Sequence, residues 1–92
     1  MGDVVRILVA DDHPLTRDGI KAALALDDEF EVVGEASDGQ EAVHLAEEIQ
    51  PDVVLMDVRM PVLGGIRATQ AISRTVPNAR VVMLTVEETQ AR

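Results

Sequence analysis

Four short apolar runs, rich in β-branched residues, divide the chain. They cover Val4–Ala10, the pair Val32 and Val33, Asp52–Met56 and Val81–Leu84. Their length and residue types are those of β-strands, and continuous apolar runs are typical of strands that are buried on both faces. The pattern therefore predicts four strands, of which the second is the shortest.

The segments between these runs have helical periodicity. Pro14 suits the first turn of a first helix, where its missing N–H is not needed. Asp38 and Glu41 have the spacing of a capping box at the start of a second helix. The predicted apolar stripes of the three helices are Leu15, Gly19, Ala22, Ala23 and Leu26; Ala42, Leu45, Ala46 and Ile49; and Ile66, Thr69 and Ile72.

The predicted element order is βαβαβαβ. Strands that are joined by helices run parallel, with helices on both faces of the sheet. Pro61 and two glycines mark the segment from Arg59 to Gly65 as a loop. We expect an α/β fold with a doubly wound parallel sheet, formed by one domain over residues 1–92.

Composition excludes several classes of function. The chain has 92 residues, no cysteine and a net charge of −9, so disulfides and thiolate metal sites are excluded. Scattered basic residues argue against direct nucleic-acid binding by this segment. No apolar stretch reaches the roughly 20 residues of a membrane span, and the N-terminus lacks signal-peptide features. We expect a cytoplasmic protein without membrane contact.

Candidate chemistry lies at the carboxyl ends of three strands. Asp11 and Asp12 follow the first, Asp57 follows the third and Thr85 follows the fourth. In doubly wound sheets these ends meet at the ligand-binding edge. Three carboxylates repel each other unless a cation such as Mg²⁺ binds them. A carboxylate beside Mg²⁺ can accept a phosphoryl group, and a hydroxyl can orient the phosphoryl oxygens.

Each residue alone has a simpler interpretation. A single aspartate after a strand is usually a helix cap or a turn residue, and a single threonine there is usually structural. The combination at three strand ends favours a site. We interpret His13 and His44 as residues without a catalytic or ligand role. Met56 and Met60 are explained by packing.

Four segments resemble the receiver domain of bacterial two-component response regulators, which has a flavodoxin-like fold. They are ILVADDHPLTRDGI, VVGEASDGQEAV, PDVVLMDVRMPVLGG and VVMLT, and together they cover nearly the whole chain. The segments DDHPLTRDGI and EASDGQEA are most similar to those of the subgroup with a downstream helix-turn-helix DNA-binding domain.

The resemblance implies roles for individual residues. Asp57 would be the phosphoacceptor and would also bind Mg²⁺. Asp12 would bind Mg²⁺ directly, Asp11 mainly through water, and Arg59 through its backbone carbonyl. Thr85 would contact the phosphoryl group. The phosphoryl donor would be a sensor histidine kinase, and the output domain, absent from this chain, would control transcription.

The sequence departs from the family after the fourth strand. The family's phosphoryl-contacting lysine and its final elements have no counterpart, and Lys21 lies in the first helix and cannot replace that lysine. We expect a truncated receiver with impaired phosphorylation, although a natural minimal receiver is the alternative. The fourth strand would be an exposed edge, so we expect dimerisation or strand exchange.

Two other functions remain as alternatives. A phosphatase of the haloacid dehalogenase type would need an aspartate where Arg59 stands, so we expect a protein that is not an enzyme. A receiver fold that has lost phosphorylation and serves only as an interaction module is the second alternative. A nucleotide-binding domain is disfavoured, since no glycine-rich loop follows the first strand.

Overall fold

The computed structural model describes residues 3–84, which form a single four-stranded parallel sheet with three helices. The elements are β1 (Val5–Ala10), α1 (Pro14–Leu24), β2 (Phe30–Ala36), α2 (Gly39–Ile49), β3 (Val53–Asp57), α3 (Gly65–Thr75) and β4 (Arg80–Leu84). The strand order is β2-β1-β3-β4, and each neighbouring pair is parallel. The predicted order and the doubly wound flavodoxin-like fold are confirmed. None of the helices in residues 3–84 is long and apolar enough to cross a membrane.

The main core lies between the sheet and the helices α2 and α3. Alternate residues of β1 and β3 point to this side because side chains alternate along a strand. The buried cluster consists of Leu8, Ala10, Ala36, Ala42, Ala46, Val54, Met56, Met60, Ala68, Ile72 and Val76. The predicted α2 stripe is confirmed, and Met56 and Met60 pack in the core as expected.

The predicted apolar stripe of α1 is wrong. Leu15 and Leu26 are 85% and 89% exposed, and Leu26 lies beyond the helix end. The half-buried face of α1 contains Ile20 and Leu24 instead, together with polar side chains. The glycine and alanine residues of this helix fit more than one periodic pattern. The face that packs against the sheet is therefore decided by Ile20 and Leu24.

The second strand is longer than predicted. It extends over Phe30–Ala36, and its register with β1 shifts between Ile7 and Leu8. This irregularity aligns Ala10 with Ala36, so β1 and β2 end together. The carboxyl end of β1 therefore lies at the sheet edge where the candidate residues converge.

The predicted capping box of α2 forms only in part. Asp38 accepts a hydrogen bond from the backbone N–H of Glu41 at 2.8 Å, as a capping residue should. The Glu41 carboxylate, however, accepts its bonds from the N–H and hydroxyl of Ser37 rather than from Asp38. Both interactions fix the start of α2 beside the end of β2.

The loop between β3 and α3 contains a strained residue. Val62 has φ 69° and an exposed side chain, and the left-handed region costs a β-branched residue about 1–2 kcal/mol. We expect Val62→Asn to raise the free energy of unfolding by about 1 kcal/mol, because asparagine tolerates this conformation. Thermal unfolding of both proteins tests this, and an equal or lower melting temperature for the variant would contradict it.

Candidate functional site

The site lies where the chain connections of the sheet change direction. From β1 the chain passes to β2 on one side, whereas β3 and β4 lie on the other side. The loops that follow β1 and β3 therefore diverge and leave a crevice between them. Since Ala10 is paired with Met56, Asp11 and Asp57 are the next residues on two neighbouring strands.

Asp11 is held by the turn that follows it and by the elements β2 and α1. Its side chain is buried, and one carboxylate oxygen accepts a hydrogen bond from the backbone N–H of His13 at 2.8 Å. Its own N–H donates to the carbonyl of Ala36 in β2. Its carbonyl accepts a bond from Arg17 of α1 at 2.7 Å. The carboxylate is therefore fixed in place at the crevice.

Asp57 is the second buried carboxylate of the crevice, with only 8% of the residue exposed. Its Oδ1 accepts a hydrogen bond from the backbone N–H of Arg59 at 3.2 Å. Burial is the main cause that raises the pKa of Asp57, and the nearby charges of Asp11 and Asp12 raise it further. The Arg59 N–H and His13 act in the opposite direction and lower the pKa.

This raised pKa gives the metal-free protein a specific pH dependence. The ionised form of Asp57 is disfavoured in the folded state. The stability that the neutral side chain contributes is therefore fully present below the ordinary aspartate pKa of about 3.9. That contribution is lost as pH rises through the folded-state pKa. With a chelator present, we expect Asp57→Asn to stabilise the fold by about 1 kcal/mol near pH 7, the energy of two like charges about 4 Å apart in water.

Urea unfolding of both proteins across the pH range measures this difference. We expect it to vanish at low pH, where both side chains are neutral. A stability difference that does not change with pH would show that the Asp57 charge is not the cause.

Asp11, Asp12 and Asp57, here called the acidic cluster, could hold a metal ion together with His13. One ligand atom from each of the four residues lies within 4.8 Å of the others. Asp12 Oδ1 is buried and accepts no hydrogen bond from residues 3–84. A buried carboxylate oxygen without a donor is costly unless a cation binds it. The donor set of carboxylates fits Mg²⁺, which prefers oxygen ligands.

A charged network supports the cluster from α1. Arg17 binds Glu35 at 3.2 Å as well as the Asp11 carbonyl, and Lys21 binds Glu35 at 2.7 Å. The hydrogen bond from Lys21 is the largest cause that lowers the pKa of Glu35. The sequence analysis did not identify Arg17 or Glu35 as residues that support the site. The signal was a basic pair, Arg17 and Lys21, at helical spacing.

Two glycines allow close backbone contacts around the site. A side chain at Gly65 would collide with the backbone of Asp57 and Val58, and one at Gly39 would collide with the backbone of Leu63. The Gly65 N–H donates to the Val58 carbonyl at 3.1 Å. The start of α3 is thus packed directly against the residue that follows β3.

The other residues that the sequence analysis considered differ in their position relative to the acidic cluster. Thr85 lies outside the described residues. Arg59 enters the site through its N–H, and the metal-binding role of its carbonyl stays a prediction. His44 is exposed on α2. His13 is the unexpected residue, because its ring lies beside the acidic cluster.

Comparison with known proteins identifies relatives over most of the chain. Residues 7–92 match the family described as the response regulator receiver domain. Response regulator GacA of Pseudomonas viridiflava is 49% identical over 85 residues, which cover 92% of this chain. Transcriptional regulatory protein DegU of Brevibacillus brevis is 40% identical over 87 residues, which cover 95% of it. The chain spans only 40% and 37% of the length of these two relatives.

Solved receiver structures have the same fold. The receiver domain of the putative response regulator NarL from Mycobacterium tuberculosis has a TM-score of 0.88 and 39% identity, over 95% of this chain and 70% of that one. The response regulator domain of Thermotoga maritima CheB has a TM-score of 0.86 and 41% identity, over 96% of this chain and 66% of that one.

Proposed function

Because the chain belongs to the response regulator receiver domain family, we propose that it is a phosphoacceptor module in which Asp57 receives a phosphoryl group in the presence of Mg²⁺. The donor is a phosphohistidine of a cytoplasmic sensor kinase. One observation carries this proposal: the ligand atoms of Asp11, Asp12 and Asp57 converge within 4.8 Å at the topological switch of the sheet.

The proposed reaction is a transfer between two side chains. A carboxylate oxygen of Asp57 attacks phosphorus, so an O–P bond forms while the P–N bond of the donor breaks and its imidazole leaves. The Arg59 N–H holds the carboxylate in orientation through Oδ1. As the family resemblance implies, Asp12, Asp57 and the Arg59 carbonyl would hold Mg²⁺ directly, and Asp11 would hold it mainly through water. When bound, Mg²⁺ neutralises charge on the phosphoryl oxygens.

We assign Thr85 the phosphoryl contact that reports the modification, on the strength of the family resemblance. Phosphorylation then biases a two-state element, which changes contacts with an output domain that controls transcription. Relatives named as transcriptional regulators support this output. The present segment, with its net charge of −9, is proposed to contact proteins rather than DNA.

Two alternatives are weaker. A phosphatase would use an acid two residues after the nucleophile, and Arg59 stands there. An interaction module that has lost phosphorylation has no use for a cluster of three carboxylates, two of them buried, whose mutual repulsion destabilises the metal-free fold. We therefore propose a signalling function rather than an enzymatic one.

Intact mass measurement after incubation with acetyl phosphate tests the proposal. We expect a single phosphoryl adduct that forms with Mg²⁺ and is absent when a chelator is added. If no adduct forms although Mg²⁺ binds with dependence on Asp12 and Asp57, the interaction module becomes the better explanation. An adduct that forms equally well with chelator would contradict the role of the acidic cluster.

We also propose that this chain self-associates through β4. This strand pairs only with β3 among residues 3–84, and Val82 is exposed on it. The opposite edge strand, β2, carries Glu31 and Glu35, which discourage pairing. We expect light scattering to show a mass that rises with concentration, and Val82→Lys to lower it. A monodisperse monomer at high concentration would contradict this.

A further inference from the structure

The ring of His13 lies next to the carboxylates of the acidic cluster, with a ring nitrogen within 4.8 Å of an oxygen of each. Its Nδ1 lies 3.0 Å from Asp12 Oδ1 and 3.3 Å from Asp11 Oδ1. His13 is the residue before α1, but its side chain does not cap the helix. The ring is 70% exposed and is held over the cluster, because its Nδ1 and the His13 backbone N–H both contact Asp11 Oδ1.

These distances, which are also those of a hydrogen-bonded or ion-paired histidine and aspartate, would let the three atoms share one cation. Two neighbouring ligands at 2.0–2.1 Å from a metal ion lie about 3.0 Å apart in an octahedron and about 3.3 Å apart in a tetrahedron. Asp12 Oδ1 supplies an independent indication, since it is buried and accepts no hydrogen bond from residues 3–84 despite the nearby ring. A proton on Nδ1 is within hydrogen-bond distance of Asp11 Oδ1, so it leaves Asp12 Oδ1 without a donor.

We propose that His13 is a nitrogen ligand of the metal site, so that the site binds Zn²⁺ and similar borderline ions in competition with Mg²⁺. This inference rests on the proposed function, because it adds a ligand to the same ion site. Carboxylates and water suit Mg²⁺, whereas imidazole suits Zn²⁺, Cu²⁺ and Ni²⁺. The imidazole of His13 therefore strengthens the binding of Zn²⁺, Cu²⁺ and Ni²⁺ far more than the binding of Mg²⁺.

The chain offers a matched control for this inference. It has two histidines, and the other one, His44, is exposed on α2, within the helix rather than beside the strand ends. His13→Asn and His44→Asn remove the same imidazole from the two positions. Neither residue is in the hydrophobic core, so both variants are expected to fold.

Calorimetric titration of the full chain with Zn²⁺ and, separately, with Mg²⁺ measures the selectivity. We expect His13→Asn to weaken Zn²⁺ binding at least tenfold, by comparison with the roughly 10–100-fold cost of losing even indirect metal partners. Mg²⁺ affinity should change by less than about twofold, since Mg²⁺ is held mainly by oxygen ligands. His44→Asn should change neither value, and Zn²⁺ added to the unmodified chain should displace Mg²⁺.

Pulsed electron paramagnetic resonance with Cu²⁺ as the probe identifies the ligand atom. We expect a coordinated imidazole nitrogen in the unmodified chain and in His44→Asn, and its loss in His13→Asn. A nitrogen signal that persists in His13→Asn, or equal Zn²⁺ affinity in both variants, would overturn the inference.

The Mg²⁺ titration separates this inference from the proposed function. If Mg²⁺ binding depends on Asp12 while Zn²⁺ affinity is unchanged in His13→Asn, only the present inference fails. If the unmodified chain binds neither ion, the inference fails together with the proposed metal-dependent phosphorylation.

Discussion

Asp57→Asn is expected to abolish the phosphoryl adduct that forms with acetyl phosphate and Mg²⁺. An amide is a poor nucleophile, and it also removes one of the three carboxylates that hold the ion. We expect Mg²⁺ affinity to fall about tenfold or more, on the scale of losing a metal partner. Intact mass measurement detects the adduct, and calorimetry measures the affinity.

Asp18→Asn is the matched control for this change. Asp18 is exposed on α1 and lies at 3.7 Å from Lys21, so its loss removes the same charge away from the crevice. The control should form the adduct at the unmodified rate. Equal adduct formation in Asp57→Asn would mean that another residue is the acceptor.

Gly65→Ala is expected to have the second large effect. The added methyl group would collide with the backbone of Asp57 and Val58, so the end of β3 or the start of α3 must move. A displacement of about 1 Å at a reacting group can lower a rate about 100-fold. We expect slower phosphorylation by one to two orders of magnitude and a loss of about 1–3 kcal/mol in unfolding free energy.

Gly64→Ala provides the neighbouring control. A side chain at Gly64 would meet no atom within 4 Å, so both stability and phosphorylation should change little. If the two alanine variants phosphorylate at the same rate, close packing at Gly65 does not position Asp57. The comparison separates backbone packing from the general effect of replacing a glycine in this loop.

The sheet and the acidic cluster were predictable because their signals are strong. Buried parallel strands appear as apolar runs, and β3 is such a run with Asp57 at its end. Alternation of strands and helices fixes the strands as parallel, so residues that follow them must meet at one edge. The sequence alone therefore predicts that Asp11, Asp12 and Asp57 lie together at this edge.

Other features depend on contacts between distant residues and could not be predicted. The packed face of α1 is decided by Ile20 and Leu24 and by the pairing of Arg17 and Lys21 with Glu35, which lies in another element. The register shift between β1 and β2 has no local signal either.

His13 shows a different limit of the sequence. The resemblance to the receiver family, which has no functional histidine at this position, gave the reason to regard it as a residue without a ligand role. The position of the His13 ring follows from the turn after β1, where the His13 N–H donates a hydrogen bond to Asp11. This turn brings the ring towards the acidic cluster, and the sequence alone does not show in which direction the side chain points.

The most direct test of the central claim is to locate the modified residue after reaction with acetyl phosphate and Mg²⁺. Borohydride reduces an aspartyl phosphate to homoserine, which tandem mass spectrometry assigns to a position in the chain. We expect homoserine at position 57, with none at positions 11 or 12 and none when a chelator is present. Homoserine at another aspartate, or a phosphoryl group that is not attached to a carboxylate, would contradict the assignment of Asp57 as the phosphoacceptor.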